Sequence, residues 1–352
     1  MRPEWRRRAS LAFMRVGELS EEQLLARIIP RLPAGTDTLL GPGDDAAVIR
    51  AADGRFVVST DVLVEERHFV RAWSTGADVG WRAAMQNLAD VAAMGARPTS
   101  LVLSLVLPDD VEVDWVLDLT DGLAQACGPH GVGVVGGDLS GGPAIVAAVT
   151  VHGDLAGRAP VLRSGARPGD VVVHSGVLGH SAAGLELLRA QGPTAGGGSA
   201  DEAAFVRAYR RPDPPLTDGP AAAGAGATAM MDVSDGLLKD LGRIARAAGV
   251  SIDLRTRDLG PALDELDVVA QACDASALGW VLTGGEDHGL VATFPAGAAY
   301  PAGFRRIGVV GPAVGGGGEE GSEEAPDGGP RVTLDGAAAP VGGSGWDHFG
   351  SS

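Results

Sequence analysis

Asp232-Val-Ser-Asp-Gly-Leu-Leu-Lys-Asp-Leu-Gly-Arg-Ile-Ala-Arg-Ala-Ala-Gly249 sets the terms of the fold. Leu237, Leu238, Leu241, Ile244, Ala245 and Ala248 recur at helical spacing on one face, and Gly249 supplies a stop. The spacing predicts an amphipathic helix over 237–248, entered from a short acidic loop, with Asp235 or Ser234 as the expected N-cap. Working outward, Ser20 and Gln23 form a capping box for a helix over 21–32, and Leu19 with Leu24 a hydrophobic staple. Further helices are expected over 79–94, 113–127 and 181–190. The runs 46–49, 56–59, 101–107, 132–135, 145–151 and 170–174 read as strands, and 281–294 as strand, turn, strand. Helices and strands mix in both halves, so the class is α/β (α+β).

The 352 residues suggest two domains, each able to bury a core. Composition shifts near 153–160, giving domains at 16–153 and 160–352. Residues 1–15 are expected to be a disordered extension, with Met14 as an alternative start. Two Gly-rich tracts, 192–200 and 315–329, read as loops without apolar periodicity.

With 45 acidic against 28 basic side chains, the net charge is −17. That excludes a nucleic-acid binder and weakens attachment to an anionic membrane. The chain has one lysine, Lys239, and no G-x-x-x-x-G-K-[ST] loop. Cys127 and Cys273 cannot build a disulfide framework or a four-cysteine zinc site, so a reducing cytoplasm fits. No apolar run approaches the ~20 residues a bilayer requires.

The chemistry lies in a recurrence. Acidic residues sit in short loops with Gly, Ser or Thr: Gly43-Asp44-Asp45, Ser59-Thr60-Asp61, Gly137-Asp138, Asp232-Val-Ser-Asp235-Gly236 and Gly284-Gly-Glu286-Asp287. Asp90, in Asn87-Leu-Ala-Asp90, joins them if its helix points inward. Each alone reads as turn or cap chemistry. Together, carboxylates at loop tips repel unless a cation lies among them. Hard oxygen ligands without His or Cys partners select Mg²⁺ or Ca²⁺ rather than zinc. Glycine lets backbone N–H groups approach phosphate oxygens closely. Residue types alone therefore point to a polyphosphate handled through several Mg²⁺ ions.

Taken in order, the motifs resemble those of the bacterial thiamine-monophosphate kinase family. They are Gly-Asp-Asp-Ala-Ala-Val at 43–48, Ser-Thr-Asp at 59–61, His68-Phe69 and Asn-Leu-Ala-Asp-Val-Ala-Ala-Met-Gly-Ala at 87–96. Gly-Gly-Asp at 136–138, Arg163-Ser-Gly-Ala, Asp-Val-Ser-Asp-Gly-Leu at 232–237, Gly-Gly-Glu-Asp at 284–287 and Asp347-His348-Phe349 complete the set. The resemblance spans roughly 16–350. It implies the two-domain fold shared with aminoimidazole ribonucleotide synthetase, whose N-terminal domain builds a homodimer. It further implies transfer of the γ-phosphoryl of ATP to thiamine monophosphate, giving thiamine diphosphate. By the same resemblance Asp44, Ser59, Thr60, Asp61, Asp90, Asp138, Asp232 and Asp235 match Mg²⁺ ligands, with Asp44 and Asp235 the catalytic pair. Gly137, Arg163 and Ser234 match ATP contacts, and His68, Glu286 and Trp346 match contacts to thiamine monophosphate.

The chain departs from the family pattern at His288-Gly289, where Tyr-Glu is common, and at Trp346, where tyrosine is common. Two competing readings are another ATP-dependent enzyme of the superfamily and a non-catalytic nucleotide sensor. A selenophosphate synthetase would need a reactive Cys with a nearby Lys early in the chain, and neither precedes Cys127. A sensor would show a broken set of acids, and here the set is intact.

Overall fold

A computed structural model describes residues 14–42, 46–313 and 331–341. The chain divides into two compact units, Met1–Val91 with Pro98–Gly157 and Ala92–Arg97 with Arg158–Ser352. Asp44, Trp346 and the tract 315–329 lie outside the described residues.

The first unit opens on α1 (Glu21–Ile28), where Ser20 and Gln23 make the expected capping box. The α-helix ends before Pro30, which lacks the N–H to continue it, and Ile29–Arg31 tightens into a 3₁₀ turn. The hairpin β1 (Thr38–Leu40) and β2 (Val48–Ile49) follows. Then come β3 (Val57–Val64), α2 (Gly76–Ala93), β4 (Arg97–Leu107), α3 (Val113–Cys127), β5 (Gly133–Gly141) and β6 (Val146–Asp154). The last four strands form one sheet in the order β3-β6-β4-β5. β3 and β6 are antiparallel, whereas β4 and β5 are parallel and joined through α3.

α2 and α3 touch backbone to backbone. A Cβ on Gly76 or Gly80 would collide with the carbonyl oxygens of Trp115 and Leu119, and one on Gly122 with that of Ala77. This close approach leaves α2 almost wholly buried and fixes where its last turns, carrying Asn87 and Asp90, face β3.

The second unit holds β7 (Val171–Ser175), α4 (His180–Gln191), α5 (Ala200–Arg210), α6 (Asp218–Gly224), β8 (Ala229–Val233) and α7 (Leu237–Ala248). It continues with β9 (Val250–Leu254), α8 (Thr256–Ala272), α9 (Ala277–Thr283), β10 (Gly289–Phe294), β11 (Arg305–Ala313) and β12 (Val332–Leu334). The strands form a sheet in the order β12-β9-β11-β7-β10-β8, antiparallel except for β12 beside β9. Met230, Leu290, Ala292, Phe294 and Phe304 lie in its core. The fold is therefore mixed α and β in both units, as the element pattern predicts.

Several local expectations need correction. Met14 and Arg15 belong to the ordered chain: Val113 N donates to Met14 O at 2.7 Å, and Arg15 pairs with Glu112. Gly136–Gly141, expected as loop, is strand, because glycine permits a ladder too close for side chains. A Cβ on Gly137 would strike the Leu103 backbone. The tract 192–200 carries a 3₁₀ turn at Gly192–Thr194, then Ser199, which caps α5 by accepting from Glu202 N. The segment 281–294 is helix, turn, strand rather than strand, turn, strand. Ser276 caps α9, and Ala277, Val281 and Leu282 are its buried face.

Candidate functional site

In the first unit, β3 presents Ser59 and Asp61 on the face toward α2, as the two-residue strand period requires. Ser59 Oγ donates to Asp90 Oδ2 at 2.8 Å. Asp61 N donates to Asn87 Oδ1 at 3.0 Å, and Asn87 Nδ2 is anchored on Ala83 O at 2.9 Å. Asn87 and Asp90 stand one helical turn apart, so a single face of α2 meets both β3 residues. Asp90 is thus not a solvated helix residue. Thr60 points the other way: its hydroxyl donates to Val149 O at 2.9 Å and accepts from Thr150 at 3.1 Å. The structure does not bring that hydroxyl to the Ser59–Asp61–Asp90 group.

His68 follows β3. Its Nδ1 accepts from Val64 N at 3.0 Å, which leaves the ring proton for Nε2. Arg82, 2% exposed, donates to the His68 carbonyl at 3.3 Å and braces the turn. Gly137 and Asp138 are exposed on β5, at the opposite edge of the sheet from β3. Three strand spacings separate them from β3, about 14 Å.

In the second unit, Asp232 is the penultimate residue of β8 and Asp235 precedes α7, both buried. The cap expectation fails here. The N-cap is Gly236, with φ 116° and no side-chain cap bond. Asp235 N instead donates to Asp240 Oδ2 at 2.9 Å. The Asp235 carboxylate pairs with Arg243 and, at 3.5 Å, with Lys239. Arg243 also donates to Asp240 at 2.5 Å. Burial, reinforced by the charge of Asp232, pushes the fully buried Asp240 up to about 7. Asp240 and Arg243 are not singled out by the sequence, nor is the pairing of Lys239 with Asp235, although the i,i+4 spacing of Asp235–Lys239 and the i,i+3 spacing of Asp240–Arg243 are there to find.

The 284–288 segment binds this one directly. Glu286 N donates to Ser234 O at 2.8 Å and His288 N to Val233 O at 3.0 Å. His288, 4% exposed, lies between two acids: Nδ1 is 3.4 Å from Asp232 Oδ2 and Nε2 is 4.0 Å from Glu286 Oε2. Arg163 sits exposed on a 3₁₀ turn, with no ion-pair partner among the described residues. It is an available cation.

The donors are suited to a hard cation. Among the described residues no group of three or more His, Cys, Asp or Glu side chains is placed to hold a metal alone. Mg²⁺ does not ask for one, since it binds through one or two carboxylates together with water and substrate phosphates. Two carboxylates and a hydroxyl at Ser59, Asp61 and Asp90 fit that habit.

Residues 43–155 match the N-terminal domain, and residues 167–298 the C-terminal domain, of AIR synthase related proteins. Thiamine-monophosphate kinase of Mycobacterium tuberculosis H37Rv is 44% identical over 333 residues, covering 95% of this chain and 92% of the relative. The chain belongs to the thiamine-monophosphate kinase family. The Escherichia coli K12 kinase is 36% identical over 286 residues, 80% of this chain and 84% of its own. A solved AaThiL complex with AMPPCP and TMP superposes with TM-score 0.73 at 32% identity, over 96% of this chain and 99% of that one.

Proposed function

We propose that the protein phosphorylates thiamine monophosphate with ATP, giving thiamine diphosphate and ADP by direct in-line transfer. The observation that carries this is the match to kinases of that name along nearly the whole chain. The acceptor is a phosphate oxygen, already anionic at neutral pH. The reaction therefore asks for alignment of two anions and neutralisation of their repulsion rather than for a general base.

In this reading Ser59, Asp61, Asp90 and Asp138 in the first unit, with Asp232 and Asp235 in the second, hold Mg²⁺. Asp44 completes the set, whereas the Thr60 hydroxyl, turned toward Val149 and Thr150, is left out of it. Bound Mg²⁺ supplies the positive charge that lets phosphates approach carboxylates. Gly137, Ser234 and the exposed fork of Arg163 contact ATP. His68, Glu286 and Trp346 hold thiamine monophosphate, and an indole is suited to a cationic thiazolium ring.

The chain acts as a homodimer in the cytoplasm. Asp61 and Asp138 occupy opposite edges of one sheet, too far apart to share an ion within a chain. Setting the β5 edge of one copy beside the β3 edge of another brings such a pair together. Val58 and Val62 on β3 and Phe56 just before it, each 44–61% exposed, supply apolar surface for that contact. Among the described residues no helix is long and apolar enough to cross a membrane.

The test is a coupled assay with ATP, Mg²⁺ and thiamine monophosphate. No thiamine diphosphate at saturating substrates refutes the kinase reading. Mixing inactive Asp61→Asn and Asp138→Asn chains tests the dimer, which requires that mixed dimers recover activity.

A further inference from the structure

Glu286 and Asp287 are neighbours in sequence, yet their carboxylates meet different surroundings. The Glu286 side chain keeps 33% of its exposure, whereas Asp287 is 4% exposed. Asp287 Oδ2 accepts from Gly179 N at 2.6 Å and Oδ1 from Ser181 N at 2.7 Å. These are amides at the N-terminus of α4, whose own N-cap, Gly179, has no side chain to offer. A carboxylate from another part of the chain thus does the work of the cap, at the positive end of the helix.

The backbone on either side of Asp287 is left-handed. Glu286 has φ 69° and His288 has φ 54°, and neither is glycine. Such conformations persist only where their surroundings over-determine them, and they gather at functional sites. Here the turn is fixed on two sides. On one, Glu286 N and His288 N are bonded to Ser234 and Val233. On the other, the Asp287 carboxylate is bonded to α4. Without the second tether, Glu286 can relax toward the ordinary basin and swing its carboxylate away from its place beside His288.

We propose that Asp287 is a positioning residue for thiamine monophosphate: by capping α4 it holds the left-handed turn that aims Glu286. This rests on the role given to Glu286 under the proposed function. Burial pushes the Asp287 carboxyl up to about 6 against the pull of its two amide bonds, so the geometry is kept at an electrostatic cost.

Asp287→Asn keeps the shape but turns an amide N toward one of the two N–H donors. The measurements are KM for thiamine monophosphate, KM for ATP, kcat and the melting temperature, for Asp287→Asn, Glu286→Gln and the double variant. The expected result is a KM for thiamine monophosphate raised about tenfold in Asp287→Asn, equivalent to about 1.4 kcal/mol. KM for ATP should stay within about twofold, and the double variant should be no worse than Glu286→Gln alone. A merely structural Asp287 would shift both KM values and kcat together, or add fully to Glu286→Gln, and either result overturns the proposal. If Glu286→Gln alone leaves KM for thiamine monophosphate unchanged, the role of Glu286 is refuted, and the proposal falls with it. Should Asp287→Asn fail to fold, Ser181→Pro decides. It deletes one N–H donor at the second position of α4, where an N–H has no intrahelical partner to lose, and leaves the carboxylate intact. A selective rise in KM for thiamine monophosphate supports the proposal, and an unchanged KM overturns it.

Discussion

Replacing Asp235 by Asn separates two readings of the loop before α7. Were Asp235 a helix cap, Asn would serve as well, and neither stability nor turnover would move. The structure instead gives the cap to Gly236 and sets the Asp235 carboxylate against Arg243 and Lys239. Asn removes the charge but keeps an acceptor oxygen. A charge-assisted bond worth about 1.5–3 kcal/mol falls to a neutral one of about 1 kcal/mol. Arg243 retains its 2.5 Å bond to Asp240, so the expected loss of stability is small, about 1–2 kcal/mol. Turnover should fall by about 10²-fold or more, the scale seen when a charge-stabilising group is lost. Thermal unfolding and the ATP–thiamine monophosphate assay, run over a Mg²⁺ series, read the two quantities separately. Turnover within about threefold of the parent would refute the assignment, whatever the melting temperature does.

Gly80→Ala should destabilise the protein by about 1–3 kcal/mol despite the helix propensity gained, because its Cβ meets the Leu119 carbonyl of α3; a stabilised variant in urea melts would contradict the backbone contact. Burial raises Asp287 from 3.8 to about 6, so the folded state holds this proton more tightly than the unfolded chain. That contribution to stability is present below about pH 4 and lost as pH rises through about 6, some 3 kcal/mol in all. The stability difference between the parent and Asp287→Asn should change accordingly between those pH values, and a flat difference in urea melts would dismiss the shift. Trp346→Ala should weaken thiamine monophosphate more than ATP in steady-state kinetics; equal weakening would point to general loss of structure.

Helices with a cap and a clean apolar face were legible: Glu21–Ile28 from its capping box, and Leu237–Ala248 from its stripe. α8 was not. Gly260-Pro261 punctuates it, and only Leu259, Leu266, Val269 and Ala270 are buried, too few to show a period over 17 residues. α5 was hidden behind a glycine tract whose composition argues for loop. Gly136–Gly141 went wrong for the opposite reason: turn-type residues were drawn into strand by the parallel ladder with β4. At the site, residue types were legible but pairings were not. Nothing in Ser-Thr-Asp at 59–61 says that its middle hydroxyl faces away from Asp90 until the strand period is known. Sheet order, which puts Asp138 and Asp61 on opposite edges, is a tertiary fact.

The pairings divide the acids by what holds them. Asp61 is fixed through its amide by Asn87, Asp235 through its amide by Asp240, and Glu286 through its amide by Ser234. In each case the backbone is tied down, and the carboxylate assigned to a ligand is not the group that does the tying. Of these tying groups Asn87 and Asp240 are 0% exposed, and Asp287, which anchors the turn carrying Glu286 to α4, is 4% exposed. A second polar group is thus set beneath each of these backbone amides, and the Asp235 carboxylate is in addition paired with Arg243 and Lys239. The two sets should respond to substitution differently. Changes at Asp61, Asp235 and Glu286 should cost activity with little stability, while changes at Asn87, Asp240 and Asp287 should cost stability first and reach activity through the residue they hold. The net charge of −17 therefore does not describe a surface that repels phosphates. Part of it is structural: Asp240 and Asp287 are buried and accept from backbone N–H groups.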